Sequence, residues 1–106
     1  MAYLRQAVGY LKTDRREILR AQEGETIRVE SMWFTNTDTG NTTLDLEHVP
    51  KGAVASHEFC LAHDLLMRAK TTEVFADPIY LMPGDALVAH AGVANKVTVM
   101  IYGQTS

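Results

Sequence analysis

The chain has 106 residues, a formal net charge of −3, 46% apolar and 22% charged residues, and a single cysteine. That length suits one domain, taken here as residues 1–106, and the apolar share is large enough to offset chain entropy, which excludes a disordered polymer. Lone Cys60 excludes an intrachain disulfide scaffold, and the acidic balance argues against nucleic acid held by phosphate neutralisation.

The N-terminal stretch is interrupted by Arg5 and Gln6, so a signal peptide is not expected. No run of about 18 apolar residues occurs, so neither is a membrane helix. The expectation is a soluble chain made in the cytoplasm, which leaves its final location open.

Turn chemistry recurs at intervals of roughly 8–12 residues. The turns are Thr13-Asp14, Gln22-Glu23-Gly24, Asn36 to Asn41, Pro50-Lys51-Gly52, Asp77-Pro78, Pro83-Gly84-Asp85 and Ala91-Gly92 to Asn95. This punctuation predicts an all-β chain: an antiparallel, jelly-roll-like β-sandwich of about eight short strands. The first two strands are expected over 4–12 and 15–21. Thr26 to Thr35 follows, rich in strand-compatible side chains. Thr42 to Val49 alternates, with Leu44, Leu46 and His48 opposite Thr43, Asp45 and Glu47. Later strands are expected over 72–76, 86–91 and from Val97 to Tyr102, with a short one near 64–68. Ser56 to Lys70 competes, because Phe59, Leu61, Leu65, Leu66 and Ala69 lie near helical spacing. A helical turn over 57–63 fits the strand rhythm; a helix to residue 70 would break it.

The third strand contains a phase conflict. Ile27 and Val29 share one parity, Met32 and Phe34 the other. A bulge at Glu30-Ser31 would bury all four and turn Trp33 outward; without it Trp33 goes in and Met32 and Phe34 go out. The last strand likewise sets Met100 and Tyr102 opposite Val97, Val99 and Ile101. Either these residues form a second core under loops, or they form a subunit contact. The interface candidates are Met32, Trp33, Phe34, Met100 and Tyr102.

The chemical candidates are weaker. His57-x2-Cys60-x2-His63-Asp64 offers zinc-ligand types, and His48 and His90 could complete a set. The spacing matches no known zinc pattern, and Cys60 between Phe59 and Leu61 reads as a small buried hydrophobe, so no metal or other cofactor is expected. A Cys60 nucleophile served by His57 or His63 lacks a protease signature. A cupin metal site would need a His-x-His pair, which is missing, so Pro83-Gly84-Asp85 is a turn. Phosphate-binding loops and nucleophile elbows are absent too. Glu23 with Glu25, and Asp45 with Glu47, read as solvated carboxylates. Arg5, Lys12, Arg15, Arg16, Arg20 and Arg28 crowd the first third. They read as a solvated hairpin balanced by Asp14 and Glu17, with docking to an acidic surface as the alternative.

Two stretches carry a resemblance. One is Thr26-Ile27-Arg28-Val29-Glu30-Ser31-Met32-Trp33-Phe34-Thr35-Asn36-Thr37 followed by Leu44 to Val49-Pro50-Lys51-Gly52. The other is Leu81-Met82-Pro83-Gly84-Asp85, then Ala94 to Val99 and Tyr102-Gly103. Together they resemble small structural proteins of tailed-bacteriophage virions, over roughly residues 10–103. The pattern departs at 53–70, so the resemblance assigns no role to His57, Cys60 or His63. It implies a β-sandwich without catalytic residues, oligomeric, in a virion. A capsid decoration protein binding the major capsid protein or another virion protein, as a homo-oligomer such as a trimer, is the leading expectation. A tail or fibre accessory module that binds a receptor or carbohydrate through Trp33, Tyr80 and Tyr102 is the alternative. A small metal-dependent enzyme comes third.

Overall fold

The turn residues separate nine strands. In the computed structural model, which describes residues 2–106, these are β1 (Ala2–Tyr10), β2 (Arg16–Arg20), β3 (Ile27–Asn36), β4 (Thr42–Val49), β5 (Cys60–Met67), β6 (Thr72–Phe75), β7 (Ile79–Leu81), β8 (Ala86–Ala91) and β9 (Val97–Thr105). One sheet has the order β1-β9-β3-β6, with β7 also paired to β3; the other has β2-β8-β4-β5. All pairings are antiparallel. Only β4–β5 and β6–β7 succeed each other within one sheet; every other connection crosses the sandwich, which is jelly-roll winding. The expected sandwich is the observed one, with nine strands in place of about eight.

The additional strand is β7. It follows Pro78 and pairs with Ile27–Val29, while β6 pairs with Met32–Thr35. The two short strands therefore lie end to end along the flank of β3. Proline at the mouth of an edge strand removes a donor where none is needed.

Between them β3 changes phase. Val29 pairs with Gly103 and Ser31 with Tyr102, leaving Glu30 as the extra residue of a bulge. Ile27, Val29, Met32 and Phe34 all enter the core as a result, and Trp33 turns outward. Phe34 meets Phe75 edge-on, with ring centroids 5.4 Å apart. Leu44 and Leu46 of β4, Leu87 and Ala89 of β8, and Val97, Val99 and Ile101 of β9 complete the sandwich interior.

Within segment 56–70, Cys60–Met67 is strand, preceded by a 3-10 turn at His57–Phe59. Its helix-like spacing has a local cause. The β4–β5 register slips twice, so Ala62, Leu65 and Met67 turn toward the core at mixed intervals, and Leu61 and Leu66 stay exposed.

Every edge is interrupted. β1 has a register shift between Ala7 and Gly9, β2 between Glu17 and Leu19, and β5 carries its two slips. The fourth edge is the broken pair β6 and β7. The turn after β3 is tied down by Asn36, wholly buried. Its amide donates to the carbonyls of Gly40 and Met67, both at 3.0 Å, and its oxygen accepts the Asp38 N–H.

Candidate functional site

The outer face of the β1-β9-β3-β6 sheet is built by strand alternation. Trp33 on β3 lies across from Met100 on β9, which lies across from Ala7 on β1. Tyr102 sits one step along, between Ser31 and Arg5. Val74 on β6 flanks Trp33 on its other side. Trp33 and Tyr102 are 45% and 39% exposed, and Val74 44%. An apolar row of Val74, Trp33, Met100 and Ala7 therefore crosses the middle of the sheet, left partly open by the described residues.

Met32 and Phe34 do not belong to it. Both are wholly enclosed in the subunit's own core, so the five expected interface residues reduce to Trp33, Met100 and Tyr102. The bulge at Glu30 is the reason, since it assigns Met32 and Phe34 to the inner face. Tyr80 is exposed but stands apart on β7, where the Arg28 guanidinium lies 6.0 Å from its ring centroid, in a hollow of about 330 Å³. One face of that ring is thus already in use.

The outer face of the other sheet carries the titratable side chains. Asp45 and Glu47, expected to be solvated, are buried at 5% and 1% exposure. Arg15 covers Glu47, with its Nε donating to both carboxylate oxygens at 3.1 and 3.0 Å. Val49, Ala86 and Val88 continue that face under Ala55 of the loop after β4. Arg15 thus leaves the expected hairpin balance, while Arg16 pairs with Asp14 and Arg20 with Glu17.

Asp45 is the hub of a histidine cluster. His90, its cross-strand neighbour on β8, brings Nε2 to 2.8 Å from Oδ2. His63 Nδ1 lies 2.9 Å from Oδ1, and the Asp64 backbone N–H donates a hydrogen bond to the same oxygen at 2.8 Å. In an even strand His63 and Asp64 would face opposite sides. The slip in β5 and a left-handed φ of 49° at Asp64 break that alternation, and the Asp64 carboxylate lies 3.6 Å from His63 Nε2.

The sequence cluster is therefore only partly assembled. His57 reaches His63, with ring centroids 5.4 Å apart. Cys60 is exposed at the start of β5 instead of being a buried hydrophobe, because the edge strand leaves it uncovered. His48 is elsewhere, with Nε2 3.2 Å from Asp85 Oδ2. The Met82 and Lys51 backbone N–H groups also bond that carboxylate. Burial alone would push the Asp85 carboxyl up, but these three partners outweigh it and hold it below the ordinary carboxylate range. Asp45, the residue that sequence reading missed, carried one usable signal: a carboxylate on a strand whose His90 partner sits at the matching register of β8. No family model, curated protein or solved structure matches the chain.

Proposed function

We propose that this chain is a non-enzymatic structural protein of a tailed-phage virion, acting as a capsid decoration protein that associates with copies of itself and braces coat subunits. The observation that carries the self-association is the uncovered row of Trp33, Met100 and Tyr102 across the centre of a sheet. Trp33 and Tyr102 are side-chain types enriched at the centre of protein contacts. The row reaches β1 at Ala7, with Arg5 beside Tyr102, and the 92% exposed Tyr3 stands further along the same edge, opposite Gln104. A second copy meeting it face to face would cover both rows at once, and a closed ring such as a trimer would suit a capsid axis. The jelly-roll winding and the resemblance of the strand ends support the virion setting.

The test is light scattering of the isolated chain, with co-sedimentation on capsids. The expected result is an oligomer that Trp33→Ala and Tyr102→Ala shift toward monomer while the fold persists. A monomeric wild type whose variants bind capsids equally well would overturn the reading. Co-sedimentation with tails, together with glycan-array binding, would move the protein to the tail accessory role.

A further inference from the structure

We propose that Asp45, His63 and Asp64 form a binding site for a divalent transition-metal ion of the zinc class, with His90 as the residue that positions Asp45. One donor atom from each of the three lies within 4.8 Å of the other two. Tetrahedral zinc with bonds of about 2.1 Å places its ligands roughly 3.4 Å apart. His63 Nδ1 stands 2.9 Å from Asp45 Oδ1, just inside that separation, while the Asp64 carboxylate lies 3.6 Å from the other ring nitrogen, Nε2, and has to swing to the Nδ1 side to join the same ion. The adjustment falls on His63 and Asp64, whose side chains are about half and two-thirds exposed and free to turn. Asp45 is the fixed member, buried, with the Asp64 backbone N–H donating to Oδ1 and His90 Nε2 standing 2.8 Å from Oδ2.

The donor set selects the ion. One imidazole and two carboxylates suit zinc, cobalt or nickel better than calcium, which prefers oxygen alone. Two negative carboxylates also offer a cation more than a neutral cluster would. His63 can donate one N–H as a neutral ring, yet both of its nitrogens face carboxylates. A metal ion bound at the Nδ1 lone pair, with the ring's one proton on Nε2, relieves that mismatch without a net change in bound protons. His90 makes the carboxylate–histidine contact that commonly holds a metal ligand in place, acting here on Asp45. Its Nδ1 is buried without a partner among the described residues, so the protein alone does not close the hydrogen bonding at this corner.

The experiment is equilibrium dialysis of the full chain against Zn²⁺, with Co²⁺ as a spectroscopic probe. The expected result is one ion per chain and a tetrahedral Co²⁺ visible spectrum. His63→Gln and Asp64→Asn change exposed side chains, and thermal unfolding without metal verifies that each variant is folded. Each should weaken Zn²⁺ binding at least tenfold, and His90→Gln by about 10-fold. Cys60→Ser and His48→Gln should leave it unchanged. Failure to retain Zn²⁺, retention undiminished in the His63→Gln/Asp64→Asn double variant, or loss in Cys60→Ser would each overturn the proposal. None of these outcomes depends on whether the chain assembles on a capsid.

Discussion

Gly103 lies so close to Arg28 that a Cβ built on it would stand 2.2 Å from the Arg28 carbonyl oxygen. The contact is backbone against backbone, beside the bulge at Glu30, where β9 must pass β3 while the register changes. A side chain there cannot be accommodated by a rotamer change. Gly103→Ala should lower stability by about 1–3 kcal/mol, the usual cost of overpacking, or more if the bulge cannot move. A denaturant titration checks this; an unchanged midpoint would refute it.

Phe34 and Trp33 are adjacent in the chain and opposite in consequence. Phe34→Ala removes a wholly buried ring and should cost about 3–5 kcal/mol. Trp33→Ala removes an outward ring and should cost far less while reducing the mass measured by light scattering. Equal losses of stability in the two variants would contradict the assignment of faces.

The Arg15–Glu47 pair should respond asymmetrically. Arg15→Met leaves a buried carboxylate without its cation and should destabilise by about 2–3 kcal/mol, below the range for fully buried pairs because Arg15 is 40% exposed. Adding Glu47→Leu should recover most of the loss. A double-mutant cycle in urea measures both steps.

Asp85 predicts a pH dependence of known sign. Its carboxyl is held below the ordinary carboxylate range in the folded chain. The unfolded chain therefore binds the proton more readily, and stability falls as pH falls. The contribution is complete above about pH 4 and is lost as pH drops through the lowered folded value. Asp85→Asn should destabilise at neutral pH and flatten the acid limb of the stability curve. Parallel wild-type and variant curves below pH 4 would show that another group is responsible.

Much of this architecture was readable from short-range pattern. The parity conflict between Ile27 and Phe34 marked Glu30-Ser31 as the place for a bulge and left open whether one forms; the register of β3 against β9 shows that it does, at Glu30. The alternation of 42–49 gave β4 and its inward Leu44 and Leu46. Other features escaped because their causes lie in other strands. β7 is three residues long and exists only because β3 offers free backbone beyond β6. Glu47 looks solvated until Arg15 arrives from the other side of β8. His57, Cys60 and His63 are near neighbours in the chain, yet Cys60 stays exposed while His63 and His90 meet at Asp45. Strand neighbours, not chain neighbours, decide which side chains share chemistry.

The irregular margins limit how copies of this protein can join. A ribbon that grows by adding strands needs a long, even row of unpaired amides and carbonyls at its border. Each border here is broken by a bulge or by the gap between β6 and β7, so an incoming chain loses its pairing after a few residues. Open-ended filament growth is thereby frustrated, and the proposed self-association would have to use the broad flat surface instead.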